Sequence, residues 1–135
     1  MLRIIVAVFI VLHGLVHLLY AGQSQRAFEL QPGMTWPDGS WAFSSLLGVA
    51  GTRVVASACC VLAAIGFVAG GAGLLLKQAW WRPVVVGAAA FSATMLLVLW
   101  DGQMQRLDDQ GGIAVLINLA ILSLLLVFQW PDFGF

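Results

Sequence analysis

LRIIVAVFIVLHGLVHLLYA, residues 2–21, is the stretch whose reading decides the fold. It holds one charge, Arg3, and no acid. About 20 apolar residues in a helix cross the ~30 Å hydrocarbon core of a bilayer. An N-terminal Arg and an apolar run also open a signal peptide. This run is long, and Leu19 two positions before Ala21 is a poor cleavage context, so the segment reads as a retained helix.

Three more stretches repeat the pattern, at about residues 53–76, 83–100 and 112–130, and no acidic residue interrupts them. Their boundaries carry matching punctuation. Thr52 suits an N-cap, Pro83 a first turn, and Asp101-Gly102, Gly111-Gly112 and Pro131 mark ends and starts. Trp41, Trp80, Trp81, Trp100 and Trp130 fall near the expected boundaries, where an indole is apolar with one wet N–H. The expected fold is an all-α integral membrane protein, a four-transmembrane-helix bundle, with one membrane domain over residues 1–135. Its first loop, residues 22–52, is long and turn-rich. Residues 41–47 within it read as a short interfacial helix on the membrane surface. The alternative is a lid folded over the helices.

Composition agrees. Of 135 residues 61% are hydrophobic and 9% charged, with mean hydropathy +0.99. Six Lys+Arg and six Asp+Glu are too few to cover a soluble surface of this size. Zero net charge leaves no basic face for nucleic acid, and the apolar content excludes a disordered chain. Cys59 and Cys60 are adjacent in an apolar run, so neither a CxxC motif nor a local disulfide is expected.

Four spans would place both termini on one side, with Arg3, Lys77 and Arg82. Arg26, Arg53 and Arg106 fall on the other side, so the Lys/Arg count ties. The short flanks of the first set favour cytoplasmic termini in a plasma (inner) membrane. Five of the six acids lie on the second side, leaving only Asp132 with the termini.

Polar groups inside a bilayer are the functional pointers. His13 and His17, at i and i+4, share one face of the first helix, and Tyr20 continues the stripe. His17 lies about 6 Å nearer the loop side than His13. Counting residues from the ends puts Ser57, Thr94 and Asn118 in the same half of the membrane, with Asp101 at the rim. Facing inward, these residues would form a polar or ligand-binding pocket. The two imidazoles could instead ligate a metal, with Asp101, Asp108 or Asp109 completing the set. The plainer expectation is hydrogen bonding across the helices. No catalytic motif is present, and no cofactor is specified. Gly66, Gly70 and Gly87 offer smooth faces for packing within the chain, in a homodimer or in a larger membrane complex.

Three segments together carry a resemblance: HGLVHLL at 13–19, WPDGSWAFSSLLG at 36–48 and WDGQMQRLDDQGGIAVLINLAIL at 100–122. The chain resembles a group of small bacterial four-helix membrane proteins of unknown function. They share a first-helix HGLxHLL and a final helix opening with a Gly and an Asn. The matching residues here are His13, Gly14, His17, Gly112 and Asn118. The resemblance implies a multi-pass bacterial membrane protein and carries over no activity. The leading functional expectation is a small-ligand-binding bundle or an accessory subunit of a membrane complex. The alternatives are a metal- or cofactor-dependent enzyme using His13 and His17, and a dimeric channel or transporter.

Overall fold

The computed structural model describes residues 1–135 and is all-helical. Helix α1 spans Leu2–Ser24, α2 Ser44–Leu75, α3 Trp81–Val98 and α4 Gly112–Leu122. A π-helical turn, Ser123–Val127, continues α4. Three of these helices are long and apolar enough to cross a membrane, while Gly112–Val127 is shorter. At about 1.5 Å per residue it falls several ångströms short of the ~30 Å core, against the full fourth span expected over 112–130.

The helices are apolar on the outside. In α1 the buried stripe is Ala7, Ile10, His13, Gly14, His17, Ala21 and Ser24, mostly small or polar residues. The opposite face exposes Ile4, Ile5, Val8, Phe9, Leu12 and Leu15. A soluble helix buries its large apolar residues and wets the polar ones. The reverse arrangement suits a hydrocarbon surround, where small residues allow close helix approach.

Two adjacent glycines in α2 serve its two neighbours. A Cβ on Gly71 would stand 2.5 Å from Val11 Cγ2 and 3.1 Å from the Ala7 carbonyl oxygen of α1. One on Gly70 would collide with Val85 of α3, and one on Gly66 would lie 2.9 Å from Ala88 Cβ. The GxxxG face is thus occupied by α3 of the same chain. Gly87 does not join it, because a Cβ there meets nothing within 4 Å.

Other expectations are corrected. Helix α2 joins two helical pieces across a kink at Gly48, whose φ of 69° is open to glycine without strain, and its long piece starts just after Gly48, a few residues before the expected start at 53. Thr52 is therefore internal and donates its hydroxyl to the Gly48 carbonyl at 2.7 Å rather than capping the helix. Within the run at 41–47, residues 44–47 form a short helical piece that the Gly48 kink sets off from the long helix. Trp81 is a core residue, 2% exposed.

The core has two apolar clusters. One, toward the termini, gathers Ile10, Phe67, Leu74, Trp81, Val85 and Ile121. The other, toward the loops, gathers Met34, Trp36, Cys60, Met95, Leu96 and Leu99. His13 and His17 on α1, Ser92 on α3 and Asn118 on α4 lie between the two clusters in sequence depth.

Candidate functional site: a closed hydrogen-bond circuit

Three helices contribute one connected set of polar groups. His13 Nε2 lies 2.8 Å from Asn118 Oδ1, which can only accept, so His13 carries its proton on Nε2. Asn118 Nδ2 donates to Ser92 Oγ at 2.7 Å. His17 Nδ1 lies 3.0 Å from the His13 carbonyl oxygen and must donate to it. That leaves His17 Nε2 as an acceptor for the Ser92 hydroxyl at 2.6 Å. Every bond then has one donor and one acceptor with both imidazoles neutral. The circuit runs from His13 through Asn118, Ser92 and His17 back to the His13 backbone.

The fourth helix, α2, supplies the floor. The Phe67 ring lies 4.8 Å from that of His13 and 5.4 Å from that of His17, measured between centroids. Gly14, between the histidines, permits this approach: a Cβ there would stand 2.6 Å from Phe67 Cβ. Ser92 and Asn118 are fully buried, and His17 is 2% exposed. Buried polar groups in an apolar surround hold their place only when paired, which explains why the circuit closes on itself.

The structure brings together His13, His17 and Asn118 but not the other expected members. Thr94 is exposed and donates to its own helix, at the Ala90 carbonyl, 2.8 Å away. Ser57 is half-buried on α2 and outside the circuit. Tyr20 packs edge-on against Trp36 at 5.3 Å. Asp101 accepts from the Gln103 backbone N–H at 2.9 Å in its own loop. Ser92 was not singled out by sequence. It shares a depth with Thr94 but is turned about 200° around the helix from it, and depth alone does not choose between such faces.

Nor do these residues line a ligand-sized space. The larger cavities, such as the groove of about 360 Å³ beneath the third loop, are lined by other residues. No group of three or more His, Cys, Asp or Glu side chains is placed to hold a metal, so Asp101, Asp108 and Asp109 do not complete a set with the histidines. Both His17 nitrogens are engaged. Only His13 Nδ1 keeps an unused lone pair.

Above the circuit the first loop folds into a lid. Asp38 is its centre: Arg53 grips both carboxylate oxygens at 2.7 Å, and Arg26 reaches one of them at 2.7 Å. Arg26 also donates to the carbonyls of Gln23, Thr35 and Trp36, fixing the loop from inside. Ser40 and Trp41 tie it to the end of α3 through the carbonyls of Val98, Leu97 and Trp100. Trp36 is driven fully into the loop-side core, and its indole N–H is the one fully buried side-chain polar atom without a hydrogen-bond partner. Burial pushes the Asp38 carboxyl up, but hydrogen bonds from Arg53 and Arg26, with their charges, outweigh it and hold Asp38 below its ordinary value.

Comparison with known protein families, with curated proteins and with solved structures finds no match.

Proposed function

We propose that the shorter fourth helix, continued by the residues up to Trp130, completes a fourth crossing, and that the chain is a protein of the bacterial plasma membrane with cytoplasmic termini, acting as a non-catalytic accessory subunit of a membrane complex. The single observation that carries this reading is the closure of the circuit. A metal enzyme needs open ligand positions and a binding protein needs a cavity at its polar residues. Here Asn118, Ser92 and a backbone carbonyl take up the imidazoles instead. The circuit then acts as an internal fastener joining α1, α3 and α4, and the outward apolar faces are left for lipid and neighbouring helices.

Membranes from a cell expressing the chain at its native level supply the test. After mild solubilisation the protein is expected to migrate with an assembly well above its 14.4 kDa. A strictly monomeric protein would contradict the proposal. So would stoichiometric metal that disappears in the His13→Ala, His17→Ala double variant.

A further inference from the structure

The terminal side of the molecule holds a cavity lined by two cations, neither of them ion-paired within the chain. It measures about 270 Å³ and is lined by Arg3, Ile4, Lys77, Phe133 and Phe135, with Met1 at its edge. Arg3 is half-buried, yet neither its guanidinium nor the Lys77 ammonium makes a hydrogen bond within the chain. Both ion pairs of the protein are at Asp38, on the opposite side, so no carboxylate lies within pairing distance of either cation. Asp132, next to the cavity-lining Phe133, accepts from the Gly134 N–H at 2.9 Å.

The walls are held in place independently of these cations. Arg82 binds the carbonyls of Leu125, Gln129 and Pro131, which folds the tail back over the helix ends. The Phe133 ring then packs between Trp81, at 6.2 Å, and Phe135, at 6.1 Å. The result is an aromatic wall facing two unused cations at the level where helices α1 and α2 leave the apolar zone. A half-buried guanidinium without a partner favours a phosphate, which its planar donors fit in pairs.

We propose that this cavity binds the phosphate of an anionic lipid headgroup. Arg3 and Lys77 contact the phosphate, and Ile4, Phe133 and Phe135 border the start of the acyl chains. Basic pockets between helix ends at a cytoplasmic surface recognise lipid phosphates by this chemistry. The assignment rests on the membrane reading given above, though not on the accessory role.

The test uses the full chain in mild detergent, titrated with phosphatidylglycerol or phosphatidylcholine, with bound lipid read by native mass spectrometry. Preferential retention of one phosphatidylglycerol is expected. The Arg3→Gln, Lys77→Gln double variant should lose about 30-fold in affinity for it, the effect of removing two basic side chains near a membrane surface. Arg106→Gln, which removes an exposed cation on the other side, should change nothing. An unchanged thermal melt of the double variant shows that its fold is intact. Equal retention of both lipids, or no loss in the double variant, would overturn the proposal. Displacement of the lipid by inorganic phosphate would assign the cavity to the free ion instead. Alkaline extraction keeps the two readings apart: a chain that resists extraction but shows no lipid preference refutes the site, whereas an extracted chain refutes membrane insertion.

Discussion

At the loop end, Arg26 and Arg53 close on one carboxylate and their remaining donors fasten the lid, while at the terminal end Arg3 and Lys77 face a cavity with no partner. The same contrast holds for packing. The loop half is joined by hydrogen bonds among His17, Ser92 and Asn118, and the terminal half by glycines pressed against neighbouring backbones. One end therefore satisfies itself and gains specificity from polar geometry. The other gains cohesion from close approach and leaves Arg3 and Lys77 without an ion-pair partner in the chain.

The largest test of this contrast is at the glycine seam. Gly71→Val forces a branched side chain against Val11 and the Ala7 carbonyl of α1, and should cost about 3 kcal/mol in unfolding from detergent micelles. A variant as stable as the parent would mean that α1 and α2 do not meet there. Next comes the circuit. Asn118→Leu leaves the His13 N–H without an acceptor and removes a donor to Ser92 Oγ, for a loss of about 2 kcal/mol. If the loss is below about 0.6 kcal/mol, the average for a hydrogen bond between membrane helices, the circuit is no fastener.

The lid should yield less. Its ion pairs are partly exposed, so Asp38→Ala is expected to cost about 1 kcal/mol or less. The pH dependence has a definite sign. The folded Asp38 value is depressed, so its stabilisation is fully present above the ordinary 3.8 and fades as pH falls through the lower folded value. Limited proteolysis within residues 25–43 should therefore rise only below that ordinary value, and Asp38→Ala should abolish the pH response. The smallest effect is at Gly87, where Ala meets nothing and should stabilise α3 by about 0.5 kcal/mol, measured in the same unfolding assay. Destabilisation there would reveal a partner helix on that face.

Much of the helix layout was legible because it depends on local composition. The apolar runs mark all four helices, and Gly102 and Gly111, both at φ 81°, lie in the loop where the turn signals fall. The convergence of His13, His17 and Asn118 was legible from depth, since rise per residue is fixed. Rotation about a helix axis was not. On uniformly apolar helices no amphipathic stripe says which face turns inward, so the sequence does not separate the exposed Thr94 from the buried Ser92. The lid was legible only as the alternative reading of the first loop, and its fastening was not, because the pairing of Asp38 with Arg26 and Arg53 joins residues that only the folded loop brings together. The break at Gly48 was legible, since a glycine after an apolar run reads as a stop.

The central claim is that the two histidines are held by each other's surroundings, neutral and in opposite tautomers. Nitrogen-15 NMR of the imidazole side chains in reconstituted protein tests it directly. The circuit predicts a proton on Nε2 of His13 and on Nδ1 of His17 at neutral pH, with Asn118→Leu disturbing both signals. Matching tautomers, an imidazolium, or a metal-shifted nitrogen at either ring would contradict it.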